Sequence, residues 1–219
     1  MFFDWSVIFR YWPNLLQGLF ATAWITLLVF VLGSIIGLLV AAINVSGSRS
    51  GLIIGRLYVN VFRNIPEMVL IFWSYYCLPQ ITNLGLSALF TGILALSLGA
   101  GANLGEIFRA GIQSVPRGQY EAALALGLSP LPRWGRVILP QAIKRMVAPI
   151  VNYSTEILKH STLLSTIGIV EVAQVAFSLG GQTYRYLEFF TVIGVAFFII
   201  IFPISVISRN LATREAGST

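Results

Sequence analysis

Leu15 to Val45 contains no charged residue, and about 20 apolar residues suffice to cross the hydrocarbon core of a bilayer. Two further runs read the same way: Leu84 to Leu104, and Leu187 to Ile207 with only Glu188 near its start. A fourth predicted span begins near Leu57 and has Val69 to Leu78 as its apolar half, but it carries Arg63, Pro66 and Glu67. Val137 to Leu158 is interrupted by Lys144 and Arg145, and reads as amphipathic by hydropathy alone. Leu163 to Leu179 is broken by Glu171 and Gln174 in the same manner. No internal repeat and no low-complexity tract divides the chain. Residues 1–219 are therefore read as one all-α membrane domain.

Composition supports lipid as the solvent. Of the 219 residues, 57% are hydrophobic and 10% charged, against about 25% charged in soluble domains. The first apolar run is far longer than the roughly 7–15 residues of a cleavable signal core, and MFFDWSVIFRYW lacks a basic start. Cys77 stands alone, which excludes an intrachain disulfide. One His and one Cys fall short of the three protein ligands of a catalytic metal site.

The net charge of +6 argues for topology rather than nucleic acid. Arg49, Arg56 and Arg63 flank one loop, Arg109, Arg117, Arg133, Arg136, Lys144 and Arg145 flank another, and Arg209 and Arg214 lie in the tail. Five spans would place these eleven of the 14 basic residues on one side, leaving Arg10, Lys159 and Arg185 for the other. Basic loops stay in the cytoplasm, so the N-terminus is expected outside and the C-terminus inside. Trp5, Trp12 and Trp134 read as interfacial anchors. Gly33 and Gly37 form a small-xxx-small pair that suits close helix packing.

The most informative stretch is polar. Residues 118–142, GQYEAALALGLSPLPRWGRVILPQA, place a short helix-prone segment in the second basic loop. The helix is predicted to start after Gly118 and to stop near Leu126, with Gly127 in the left-handed position just beyond. Glu121 falls in its first turn, favourable to the helix dipole. Ala122, Ala123 and Ala125 keep its surface thin enough to enter a shallow cleft.

The order EAA, Gly127 six residues after Glu121, then Ile138-Leu139-Pro140, resembles the cytoplasmic loop of ABC importer permeases. The flanks GEIFRAGIQSVPRGQYEAALALG, LPQA and LKHSTLLSTIG are similar to the polar amino-acid uptake permeases in particular. The resemblance runs from about Gln17 to the end. It implies a type I importer-like bundle of five core helices in the bacterial inner membrane, with Val137–Leu158 as the fourth and 163–179 as a shorter membrane-dipping element. It implies a coupling loop at about 113–136, in which Gly118, Glu121, Ala122, Ala123, Gly127 and Pro140 engage an ATPase. The implied partners are an ATP-binding subunit dimer carrying ATP-Mg, a second permease subunit identical or homologous to this one, and a periplasmic amino-acid-binding protein. No cofactor is expected in this chain itself, since Gly51-Leu-Ile-Ile-Gly55-Arg56 lacks the spacing and the Lys-Ser/Thr ending of a phosphate loop.

Ionisable side chains at membrane depth are functional candidates by default. Asn103 and Glu106 lie near the end of the third span, and Asn152 and Glu156 are four apart on one helix face, followed by Lys159, His160, Ser161 and Thr162. These eight form the expected solute pathway. Similar permeases commonly read K-D-T-S where this chain has Lys159-His160-Ser161-Thr162. The missing acid and the added donors favour an acidic or neutral polar amino acid. After Arg63, relatives usually read P-L-L-V-Q where this chain has Pro66-Glu67-Met68-Val69-Leu70. Glu106 with Arg109, and Arg63 with Glu67, also have the spacing of local ion pairs. The alternatives are an importer of another small amino-acid-like solute, or a channel or sensor bundle. An enzyme is excluded because Ser161, Ser165 and Glu156 around His160 have no catalytic spacing.

Overall fold

The computed structural model describes residues 3–45 and 49–216, with side chains as far as residue 213, so the Arg214 side chain lies outside the described residues. α1 (Trp5–Val45) is a single helix of 41 residues. At 1.5 Å per residue it is about 60 Å long, roughly twice the hydrocarbon thickness. It starts ten residues before the uncharged run, because Trp5, Phe9 and Trp12 give the entry turns an apolar face of their own.

The second span is broken where the sequence places Pro66. α2 (Arg49–Asn64) ends there, since proline disfavours helical geometry in the residue before it. α3 (Glu67–Phe72), a π-helical turn over Trp73–Cys77 and α4 (Leu78–Thr82) then continue the chain. Asn83, at φ 54°, closes α4 in the left-handed region. α5 (Ala88–Gln113) opens on Ser87, whose hydroxyl accepts from the Phe90 N–H at 3.2 Å.

α6 (Arg117–Ala125) is the short loop helix. The stretch after it is more helical than expected. α7 (Pro130–Pro132), a π-helical turn over Arg133–Ile138 and α8 (Leu139–Ser161) follow one another directly. Prolines break helix interiors but are accepted in a first turn, which is where Pro130 stands. A 3₁₀ turn over Thr162–Ile167 leads to α9 (Val172–Thr183), set at 47° to the helix before it. α10 (Tyr186–Ala216) closes the chain.

Among the described residues there is no strand. Among them, three helices are long and apolar enough to cross a membrane: Trp5–Val45, Ala88–Gln113 and Tyr186–Thr213. The bent pair Pro130–Ile167 and Val172–Thr183 qualifies as a fourth when taken together.

α1 and α5 are the central pair. A Cβ on Gly37 would sit 2.8 Å from the Gly105 N, and one on Gly33 would meet the Ala100 Cβ at 2.7 Å, so the small-residue pair is the α1–α5 contact. Lipid tails supply no hydrophobic drive between helices, so such close backbone approach holds them by dispersion. Polar ties complete the frame. The Tyr58 hydroxyl donates to the Leu98 carbonyl at 2.7 Å, and the Ser208 hydroxyl to the Ala148 carbonyl at 2.8 Å. Glu171, fully buried, caps α9 by accepting from the Gln174 N–H at 2.9 Å and accepts from the Thr22 hydroxyl of α1 at 3.3 Å. The residue that interrupts an apolar run in the sequence therefore serves as a buried helix cap.

Candidate coupling surface and solute pathway

The C-terminus of α6 is closed by paired hydrogen bonds. The Gly127 N–H donates to the Leu124 carbonyl at 2.9 Å and the Leu128 N–H to the Ala123 carbonyl at 3.1 Å, with Gly127 at φ +69°. This is a Schellman closure, and it needs a residue comfortable at positive φ. Gly118, Glu121, Ala122, Leu124, Ala125 and Gly127 are exposed, and Leu126 is 79% exposed.

Ala123 is different. It is 2% exposed and faces the bundle, so it cannot belong to a docking surface in this conformation. Its neighbour one turn back, Tyr120, meets Trp134 edge-on at 5.9 Å between ring centroids. Both rings join the cluster of Leu104, Phe108, Ile138 and Met146. Burial raises the Tyr120 phenol above its ordinary range, with Arg133 opposing it. Trp134 is thus a packing residue rather than a free interfacial anchor. The Gln141 amide donates to Gln119 at 3.2 Å, and the Arg133 guanidinium to the Leu128 carbonyl at 2.9 Å. Pro140 sits exposed at the start of α8. α6 is thereby fixed to the root of α8 while its opposite face stays open.

Polar groups on α2, α3, α5 and α8 form a ladder. At one end Lys159 pairs with Glu156 at 2.7 Å. Next, the His160 Nδ1 lies 3.6 Å from Glu67 Oε1. The Arg63 Nε then donates to Asn103 Oδ1 at 3.2 Å. Last, Arg109 grips Glu106 in a two-pronged pair, with Nε to Oε2 at 2.9 Å, and also donates to Gln113. Asn152 is exposed on the same face of α8 as Glu156.

One expected pathway residue, Ser161, is turned away, and Thr162 is partly exposed. Ser161 is fully buried and accepts from the Thr26 hydroxyl of α1 at 3.3 Å. The Thr162 hydroxyl donates to the Lys159 carbonyl at 2.7 Å. Glu67 does not form the local pair with Arg63 that their spacing allows. Both reach across to other helices, and both belong to the ladder although neither was among the expected pathway residues. The signal for them was present: two opposite charges beside a proline in an apolar run.

A family described as binding-protein-dependent transport system inner membrane component matches residues 33–216. The chain is similar to the glutamate/aspartate import permease protein GltK of Escherichia coli, at 33% identity over 98% of this chain and 99% of that one. It is similar to the arginine transport system permease protein ArtQ of Bacillus subtilis, at 31% identity over 96% of each. Its fold matches a crystal structure of an amino acid ABC transporter with histidines at a TM-score of 0.89 and 30% identity, over 98% of this chain and 100% of the other.

Proposed function

This chain belongs to the family of binding-protein-dependent transport system inner membrane components, and from that premise we propose that α6 is the handle by which a separate ATPase drives solute through the α2–α3–α5–α8 ladder. The chain is a multi-pass inner-membrane permease subunit of an amino-acid ABC importer, and it is a transport component rather than an enzyme.

The observation that carries the proposal is the two-sidedness of α6. One face, Tyr120 and Ala123, is locked into the core beside α8, and the other, Glu121 and Ala122, is exposed. A partner gripping the exposed face moves α8 directly, and α8 carries Asn152, Glu156, Lys159 and His160. ATP-Mg, held by a dimer of ATP-binding subunits, supplies the energy. Two permeases, identical or homologous, rock between inward- and outward-facing arrangements as rigid bodies. A soluble binding protein delivers solute on the outside. The charge asymmetry supports five crossings with the N-terminus outside and α6 in the cytoplasm. The second crossing is the broken α2–α4 unit, and α8 is the fourth.

The solute is an acidic or neutral polar amino acid. Lys159 and His160 each face a carboxylate, so neither is the cation that meets the solute. Among the described residues, Arg63 is the cation of the pathway without a salt-bridge partner, its guanidinium donating to Asn103.

Purification of the tagged chain in mild detergent from its native host tests the reading. A P-loop ATPase should accompany the wild type and be lost with Glu121→Lys/Gly127→Asp. Purification of both forms without any ATPase would remove the proposal.

A further inference from the structure

Beyond the ladder, a polar cavity of about 350 Å³ opens between the end of α1, the polar face of α2 and the last turns of α5. Clefts that hold small ligands begin at about 300 Å³. Most such clefts are lined largely by apolar groups, but here only Leu52 and Val59 contribute apolar side chains. The remainder are Asn44, Asn60, Gln113, Glu106 and three arginines, Arg56, Arg63 and Arg109. Arg109 is neutralised by Glu106. Among the described residues, neither Arg56 nor Arg63 has an ion-pair partner. Glu106 is thus one carboxylate against three guanidiniums in the lining, which leaves the cavity positive, and guanidinium geometry suits a carboxylate held through two parallel hydrogen bonds.

The cavity is also continuous with the ladder. Arg63 lines it and at the same time donates to Asn103. Asn44, 7% exposed, forms part of the wall, and its Oδ1 has no partner among the described residues.

We infer that this cavity is a second solute subsite, on the cytoplasmic side, that receives the side-chain carboxylate of an acidic amino acid between Arg56 and Arg63 before release. The inference rests on the proposed importer function and deepens it, naming an anionic solute. Arg63 passes the solute from the ladder to the cavity, and Arg56, nearer the cytoplasmic start of α2, draws it onward.

The test uses the full chain in lipid nanodiscs with its co-purified ATPase, and equilibrium dialysis of labelled L-glutamate, L-glutamine and inorganic phosphate. Arg56→Gln should weaken L-glutamate binding about tenfold, the loss of one charge-assisted hydrogen bond, and leave L-glutamine unchanged. Arg56→Lys, which keeps the charge, should recover part of the loss and report that the fold is intact. Equal L-glutamate binding by wild type and Arg56→Gln would overturn the inference, as would phosphate displacing L-glutamate at equal concentration. ATP-driven uptake of both amino acids into proteoliposomes separates the two levels. With the soluble binding protein of the same system supplied, uptake by wild type with unchanged Arg56→Gln binding removes only the subsite, whereas no ATP-driven uptake by wild type removes the importer reading beneath it.

Discussion

His160 and Glu67 face each other at 3.6 Å from opposite walls of the ladder, one at the end of α8 and the other at the start of α3. The pair sets an imidazole and a carboxylate on facing helices, one charge-bearing group from each. His160→Asp would put two carboxylates at this spacing, and like charges so close oppose ionisation of both. Uptake by His160→Asp should fall several-fold. Glu67→Leu/His160→Asp should restore uptake and shift preference toward a cationic solute. Competition of labelled L-glutamate uptake by arginine reads the shift, and a double variant with wild-type preference would show that the pair does not select solute.

Glu171 joins α1 to α9 through one carboxylate, which caps a helix and accepts from Thr22. Glu171→Ala removes the cap and should destabilise the bundle by about 1–2 kcal/mol. Thr22→Val leaves the Val172 N–H, which donates to the Thr22 hydroxyl at 3.1 Å, without its acceptor. It should cost about 1–3 kcal/mol. Thermal unfolding in detergent measures both, and a midpoint equal to wild type for either would show that the cap does not hold α9.

These elements show what the sequence made legible. The uncharged runs give α1, α5 and α10 directly, because lipid demands long apolar helices and little else imitates them. The Schellman glycine of α6 is readable because a left-handed cap leaves a residue-type signature. Cross-helix partners leave none. Glu67 meets His160 and Arg63 meets Asn103 only once four separate elements, α2, α3, α5 and α8, are packed, and i,i+4 spacing pointed to the wrong partner for both charges. The face of α6 was readable in principle. Ala122 and Ala123 point in different directions on a helix, and Tyr120, three residues before Ala123, marks the buried side. Pro130 and Pro132 hid the helical lead-in to α8 because proline reads as a breaker unless the first turn is located.

Gly37 sets the α1–α5 distance. Gly37→Leu places a branched side chain where even a Cβ would lie 2.8 Å from the Gly105 N, a backbone atom that cannot yield. Overpacking of this kind costs about 1–3 kcal/mol. Gly85→Leu, at a site with open space around it, is the matched control. Detergent stability of the two variants should differ by roughly that amount, and equal midpoints would mean that α1 and α5 separate without penalty.

Tyr120 separates gripping from pulling. Its ring holds α6 to Trp134 at the root of α8, while Glu121 and Ala122 point away from that contact. Tyr120→Ala leaves the exposed face and the Gly127 closure in place, so the ATPase should co-purify at wild-type yield. The lost ring contact is worth about 0.5–1.5 kcal/mol beyond its buried area, enough to let α6 swing without α8. ATP hydrolysis should persist while solute moved per ATP falls several-fold. Glu121→Lys should do the reverse, losing the ATPase and both activities together. Measured side by side in proteoliposomes, the two variants dissect the handle into its gripping and transmitting faces. Loss of the ATPase from Tyr120→Ala would show instead that the buried side of α6 takes part in docking.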